Sequence, residues 1–289
     1  MRSIFKLLYK LLCLAGRPIG GIRPRRLYDI LARLAFVEPE FNWVRNRWGA
    51  ELLLTHYYHL DRNILIFGCY DSALHETLEA RIRPGLVCLD VGANLGEMAL
   101  HMAHSGATVY AFEPVPDVFK RLKQHVERNG LSALVHVHDV ALSDQTGVCR
   151  ISVGTPEQDN QGLASIVSNS GGRLTDQIEI KTITLDAFVQ REQIQRVDLI
   201  KVDIQGAEIK FLEGARQTLQ KFAPELLMEI ASEDLAAIGK NSRDLCLMLE
   251  SLGYTIYELK NAKPGARIDA ASIKPDFRAS NVLCIKEKS

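Results

Sequence analysis

The sequence predicts an α/β fold: a doubly wound, mostly parallel sheet of seven strands over residues 61–289, with a basic helical appendage over residues 1–60. Three observations predict it. From residue 84 onward, short apolar runs of strand length alternate with stretches of helical spacing, the pattern of crossover units in a parallel sheet. The first run, Val87-Cys88-Leu89, closes on Asp90 and passes through Gly92, Asn94 and Gly96 into a helical stretch at 98–103. The second run, 107–112 (ATVYAF), ends on Glu113, about 20 residues past the turn, at the edge where an open sheet gathers its ligands.

With 289 residues the chain is long enough for one such domain and an appendage. Its formal net charge is zero, which gives no overall pull toward nucleic acid. The charge is unevenly placed. Residues 1–35 hold eight Lys and Arg against Asp29 alone, leaving 27 basic and 34 acidic residues in the remainder. Six cysteines are scattered without a C-x-x-C pair, so the sequence predicts no disulfide framework and a reducing, cytoplasmic setting. Cys88 and Cys284 fall in apolar strand patterns and are expected in the core. No apolar run reaches the roughly 18 residues that a membrane-spanning helix needs.

Residues 3–15 (SIFKLLYKLLCLA) are apolar apart from Lys6 and Lys10, which share a helix face with Arg2. Two placements stay open: a helix lying in a membrane interface, or one packed on the domain or on a second subunit. A turn-rich basic piece at 16–26 and a helical stretch at 27–36 follow, then Trp43 and Trp48 in the polar string FNWVRNRWG. Residues 52–59 and 71–81 read as helices, with 64–69 (ILIFGC) a strand between them. Pro84-Gly85 marks the entry to the core.

Pro116 suits the first turn of a helix at 116–129, and Gly130 its end. Residues 134–140 (LVHVHDV) form the third strand. Residues 148–153 and 178–184 alternate in polarity, as edge or hairpin strands do. The polar loop 154–175 lies between them, and a loop of that length is more often functional than idle. Asp186, in TLDAF, has the place of a helix N-cap. The fourth core strand is 197–203 (VDLIKVD). Lys201 interrupts its apolar run on the face of Asp203, the nearest carboxylate in sequence, and a buried lysine needs such a partner. Residues 225–230 (ELLMEI) are the fifth strand. A helix opens at Asn241 or Ser242 and ends at Gly253. Residues 254–259 and 281–286 are the last strands, with loop 260–280 expected at the ligand edge.

A glycine turn between strand and helix lets backbone groups approach a ligand. The spacing D-x-G-x-N-x-G is not the dinucleotide fingerprint G-x-G-x-x-G. A nicotinamide-dependent oxidoreductase wants the third glycine and a pyrophosphate on the helix. S-adenosylmethionine has no phosphate. Its ammonium suits Asp90 and its ribose hydroxyls suit Glu113. Asp139 is then placed for the adenine amino group, with Val140 against the ring. A non-catalytic nucleoside-binding module is a further reading.

The strings LVCLDVGANLG, AFEPVPDVFKRLKQHVERNG, VALSD, ITLDAF and VDLIKVDIQGAEIKFLEGA, in this order, resemble the FkbM-type methyltransferases over about residues 66–289. The resemblance implies a Rossmann-like class I methyltransferase sheet, S-adenosylmethionine as cofactor, and transfer to a hydroxyl of a glycan, glycolipid or secondary metabolite. It places Asp90, Gly92, Asn94 and Gly96 on the methionine half of the cofactor, Glu113 on the ribose, and Asp139 with Val140 near the adenine. Asp203 and Glu208 match the family's K-x-D-x-E-G-x-E run, with Gln205 in place of its first Glu. Asn160 and Ser165 resemble an acceptor-facing pattern, and Glu208 joins them as a candidate.

Methyl transfer to an alcohol needs alignment and a base within reach. Asp203 is the first candidate base, Glu229 the second, and Lys201 the third candidate catalytic group. A Mg²⁺-assisted variant needs about three oxygen ligands; Asp203 and Glu229 supply two, so no metal is predicted. The pairs His136 with His138 and His101 with His104 lack a third ligand and read as ordinary residues. The expected partners are a small-molecule or glycan acceptor, no nucleic acid, and peripheral membrane contact or a homo-oligomer.

Overall fold

The computed structural model describes Ile4, Ala35 and residues 39–153, 164–165, 176–260 and 262–286. The chain divides into two compact units: residues 1–71 with 155–161, and residues 72–154 with 162–289. The expectations for residues 1–36 fall outside the described residues, apart from Ile4 and Ala35.

In the first unit, β1 (Phe41–Arg45) and β2 (Glu51–Thr55) form an antiparallel hairpin, with Phe41 opposite Thr55 and Arg45 opposite Glu51. Asn46 Oδ1 closes its turn by accepting from the amides of Trp48 and Ala50 at 3.0 and 2.9 Å. Helix α1 (His59–Phe67) follows, and Gly68 ends it in the left-handed conformation, φ 80°. Two expectations are reversed here. The helix expected at 52–59 begins as a strand, and ILIF at 64–67 is helical. Leu52 and Leu54 are buried while Glu51 and Leu53 are half-buried, an alternation that only a strand gives. The apolar run ILIF is too short to show its period, and the polar residues before it decide its state. Asp61 accepts from the Thr55 amide at 3.0 Å, and Arg62 donates to the carbonyls of His56 and Tyr57 at 3.2 and 2.7 Å, which anchors the first turns of α1.

The second unit opens with α2 (Ser72–Arg81), then β3 (Val87–Val91), α3 (Glu97–His104), β4 (Thr108–Phe112), α4 (Pro116–Arg128) and β5 (Val135–His138). Next come β6 (Ala141–Leu142), β7 (Gly147–Val153), β8 (Ala164–Ser165), β9 (Asp176–Ile183) and α5 (Leu185–Arg191). The chain continues through β10 (Leu199–Val202), α6 (Glu208–Glu213), α7 (Arg216–Phe222), β11 (Glu225–Ala231), α8 (Ser242–Ser251), β12 (Thr255–Lys260), β13 (Lys263–Ile268) and β14 (Arg278–Ile285).

Among the described residues the main sheet has eight strands in the order β13-β12-β14-β11-β10-β3-β4-β5. The five from β11 to β5 are parallel, and β14, β12 and β13 pair antiparallel. The predicted doubly wound α/β sheet is therefore present, with one strand more than the sequence shows. The additional strand, β13, lies within the expected loop 260–280. In KPGARI only Ile268 is buried, opposite Ile256, so the segment carries no alternation to read. The arms 148–153 and 178–184 do pair, as β7 with β9, in a second sheet of order β6-β9-β7-β8.

The core lies between this sheet and its helices. Leu89, Val91, Phe112, Ile200, Val202, Leu226 and Met228 are buried in one cluster. Cys88 and Cys284 are buried as expected. The cap of α5 differs from the expectation: Thr184, not Asp186, accepts from the Ala187 amide. Asp186 instead accepts from the amides of Gln217 and Thr218 at 3.0 and 2.8 Å, and so caps the start of α7. Among the described residues no helix is long and apolar enough to cross a membrane.

Candidate functional site

Register brings the predicted acidic residues into one row. Lys201 stands level with Asp90 and Leu227, Phe112 with Val91 and His138, and Val202 with Val91 and Met228. One residue further, Asp139, Glu113, Gly92 and Asp203, each just past its strand end, stand level with Glu229 within β11. At about 4.8 Å between strands the row spans roughly 19 Å, at the carboxyl edge of the parallel strands. Asp90 and Lys201 sit two residues below the row, on the same face.

The glycine turn after β3 is tied down by its own amides. Gly92 and Ala93 both donate to the Phe112 carbonyl, at 3.1 and 2.9 Å, and Gly96 donates to Ala93 at 2.8 Å. The Asn94 amide donates to Glu113 Oε2 at 3.0 Å, and the Val115 amide to Glu113 Oε1 at 2.9 Å. These five amides are occupied within the protein. The glycines themselves are required by packing. A Cβ on Gly92 would lie 2.0 Å from the Asp203 carbonyl, and one on Gly96 would lie 2.2 Å from Leu122 Cδ1. The two turns at the sheet edge are therefore in van der Waals contact through Gly92.

Acceptors, by contrast, are in surplus. Asp90 is fully buried, and the Lys201 ammonium and the Ala99 amide both act to favour its charged form. Lys201 Nζ lies 3.2 Å from Asp90 Oδ1, which pairs the charges. Burial pushes the Asp90 carboxyl up, and the Lys201 charge pulls it back. Burial also pushes the Glu113 carboxyl up to about 7, against the two amides that it accepts. Each Glu113 oxygen retains a lone pair for a further donor.

Lys201 pairs with Asp203 as expected, at 3.7 Å from Oδ2, and makes closer contacts with the Gly92 carbonyl at 2.8 Å and Asp90 at 3.2 Å. Burial works to lower its pKa, but the Asp90 and Asp203 charges outweigh it and raise it. Asp203 is the open carboxylate of the group, with its side chain 38% exposed. Gln205 Nε2 donates to Asp203 Oδ1 at 3.2 Å, a bond that the Glu of the resembled motif has no hydrogen to make. Glu208 is buried, and both its oxygens accept from the Gly206 amide, at 3.2 and 3.1 Å. It braces the turn, and burial pushes its carboxyl up to about 7. Glu229 stands half-buried where β11 changes register against β14. Asp139 turns its carboxylate to Lys181 on β9 at 2.9 Å, and that bond holds its pKa down. Val140 is half-buried. Asn160 lies outside the described residues, and Ser165 falls in β8 opposite Ser152.

The donor set discriminates between ligands. A pyrophosphate needs amide donors from the glycine turn, and the Gly92, Ala93, Asn94 and Gly96 amides of that turn already have acceptors. A ligand with an ammonium and a pair of hydroxyls finds Asp90 and Glu113 waiting with acceptor capacity. The residues present fit the adenosyl sulfonium donor. Among the described residues no group of three or more His, Cys, Asp or Glu is placed to hold a metal ion. His136 and His138 pack against Tyr110, with ring centroids at 5.1 and 6.1 Å, and His101 stacks on His75 at 4.8 Å.

Residues 90–256, from the buried carboxylate of β3 into β12, match the methyltransferase FkbM domain. The chain belongs to the FkbM methyltransferase family. The matched span takes in the whole acidic row and Lys201, and the chain is a methyltransferase. It is 27% identical over 223 residues to the 31-O-demethyl-FK506 methyltransferase FkbM of Streptomyces tacrolimicus, covering 68% of this chain and 81% of that one. It is 31% identical over 134 residues to the hexuronic acid methyltransferase AglP of Haloferax volcanii, covering 46% of this chain and 52% of that one, so it spans about half of that relative's length. The 2-O-methyltransferase NoeI of Sinorhizobium fredii is 26% identical over 151 residues, 48% of this chain and 61% of its own. The FkbM match leaves residues 1–89 uncovered.

Proposed function

We propose that this FkbM methyltransferase transfers the methyl group of S-adenosylmethionine to a hydroxyl of a glycan, glycolipid or secondary metabolite. The observation that carries the donor is the pair of buried carboxylates, Asp90 and Glu113, around a turn whose Gly92, Ala93, Asn94 and Gly96 amides are occupied within the protein. The relatives named for 31-O, 2-O and hexuronic acid methylation support a hydroxylated acceptor.

The bound donor supplies an electrophilic methyl on a positively charged sulfur. The protein supplies alignment and proton removal. Asp90 faces the donor's ammonium and Glu113 accepts its ribose hydroxyls, while Asp139 and Val140 border the adenine. Asp203 takes the proton of the acceptor hydroxyl as it attacks, because its side chain is partly open beside Asp90 and Lys201 and Gln205 fixes one of its oxygens, whereas the more exposed Asp139 is paired with Lys181. Glu229, level with Asp203 on the next strand, is the second candidate base. Asn160 and Ser165 are assigned to the acceptor on the resemblance alone. The scattered cysteines support a cytoplasmic setting, and the basic, apolar residues 1–15 suit either packing on the domain or a second subunit, or contact with an anionic membrane surface.

Calorimetry with S-adenosylhomocysteine tests the donor site. Asp90→Ala and Glu113→Ala should each abolish measurable binding, and wild-type affinity in both would reject the site. Labelled methyl transfer into a crude glycan extract tests the base. Asp203→Asn should lower the rate by about 10²–10⁴-fold; an unchanged rate with loss in Glu229→Gln would move the role to Glu229.

A further inference from the structure

Lys201 is a buried cation that sits between the two turns of the site. Its ammonium has three N–H donors, and three acceptors surround it: the Gly92 carbonyl at 2.8 Å, Asp90 Oδ1 at 3.2 Å and Asp203 Oδ2 at 3.7 Å. Its N–H donors are directed at these three protein acceptors, and the Asp90 and Asp203 charges hold it protonated. It is not placed to move a proton on the substrate, which sets aside its candidacy as a catalytic group.

Its position has a different consequence. Asp90 is fully buried, and a carboxylate in that setting protonates unless a charge opposes it. Register places Lys201 directly beside it on the neighbouring strand. The Lys201 ammonium and the Ala99 amide both favour the charged form of Asp90, and a carboxylate's two oxygens keep acceptor capacity beyond those two donors. We propose that Lys201 is a positioning residue for the methyl donor: without touching it, the buried ammonium holds Asp90 ionised and thereby holds the donor's methionine end. This inference rests on S-adenosylmethionine being the donor.

A neutral Asp90 has half the reason to bind an ammonium: it keeps a hydrogen-bonding carbonyl and loses the charge. The dependence should therefore be confined to ligands that carry the amino acid end, and to chains that carry Asp90. Calorimetry on the full-length protein reads both. Lys201→Met should weaken S-adenosylhomocysteine by at least tenfold and leave adenosine, which lacks the amino acid end, within twofold of wild type. Asp90→Asn and the double variant Asp90→Asn/Lys201→Met should bind S-adenosylhomocysteine within twofold of each other, because no carboxylate remains for the lysine to act on. The double variant removes both buried charges, so the comparison stands even where Lys201→Met alone, with Asp90 left unpaired, does not fold.

Wild-type affinity for S-adenosylhomocysteine in folded Lys201→Met overturns the inference. So does a double variant ten times weaker than Asp90→Asn, which would mean that Lys201 acts by another route. Equal loss of adenosine and S-adenosylhomocysteine in Lys201→Met also overturns it, because a general distortion of the site would not respect the amino acid end. A wild-type protein that binds no S-adenosylhomocysteine removes the donor reading first, and this one with it.

Discussion

A carboxylate that accepts two hydroxyl hydrogens has to be ionised, and Glu113 sits where ionisation is costly. Burial pushes it up to about 7 from an ordinary 4.5, although the Asn94 and Val115 amides favour the charged form. In the unliganded protein this raised value makes Glu113 a stabilising contribution at low pH that is lost as pH rises from 4.5 through 7. Donor binding has the opposite sense. S-adenosylhomocysteine affinity should be flat above pH 7 and fall by up to about tenfold per pH unit below it. Glu113→Gln should bind about 10–100-fold more weakly above pH 7, the loss of one charge-assisted hydrogen bond of about 1.5–3 kcal/mol, with a flatter profile below. Calorimetry at pH 5.5, 6.5 and 8 reads both. Asp90, Glu113 and Asp203 were legible in the sequence because each ends an apolar run. As the second and closer carboxylate partner of Lys201, Asp90 was not. Asp90 and Lys201 are far apart in sequence, and only strand order makes β3 and β10 neighbours.

The two turns at the sheet edge behave as one element, because the Asp203 carbonyl occupies the space a Gly92 side chain would need. Gly92→Ala brings a Cβ to 2.0 Å from backbone and holds φ at +76°, so the turns must separate. Gly96→Ala meets only the tip of Leu122, which can rotate, at φ +81°. Urea unfolding should show Gly92→Ala destabilised by about 3 kcal/mol and Gly96→Ala by about 1–2 kcal/mol. An equal or reversed order would contradict the contact. The sequence reads these glycines as openings for a ligand. The structure adds that neither glycine can be replaced without moving a neighbour. Elements with a visible period were legible: α4 runs from Pro116 to Arg128, and α8 starts behind Asn241 in a capping box with Asp244. Residues 52–69 were not, because ELLL and ILIF are each too short to distinguish period 2 from period 3.6.

At the scale of the whole molecule, the parallel sheet turns residues scattered over 139–229 and 90–113 into one acidic edge. That edge is what the FkbM match spans. For residues 1–38 the sequence predicts helices and a basic charge, and nearly all of these expectations lie outside the described residues. Its basic apolar stretch makes a separate prediction. Deleting residues 2–15 should reduce sedimentation with vesicles of anionic lipid, and high salt should reduce it likewise in the intact chain. Unchanged sedimentation after deletion would assign the stretch to packing on the domain or on a second subunit.

The central claim is that the edge between β3 and β4 grips an adenosyl ligand through carboxylates and not through turn amides. Diffraction from crystals grown with S-adenosylhomocysteine tests it most directly. The account predicts both ribose hydroxyls on the Glu113 carboxylate and the amino group beside Asp90, with the Gly92, Ala93 and Asn94 amides still bonded to Phe112 and Glu113. A ligand held by those amides, or density for it away from Asp90 and Glu113, would contradict the account.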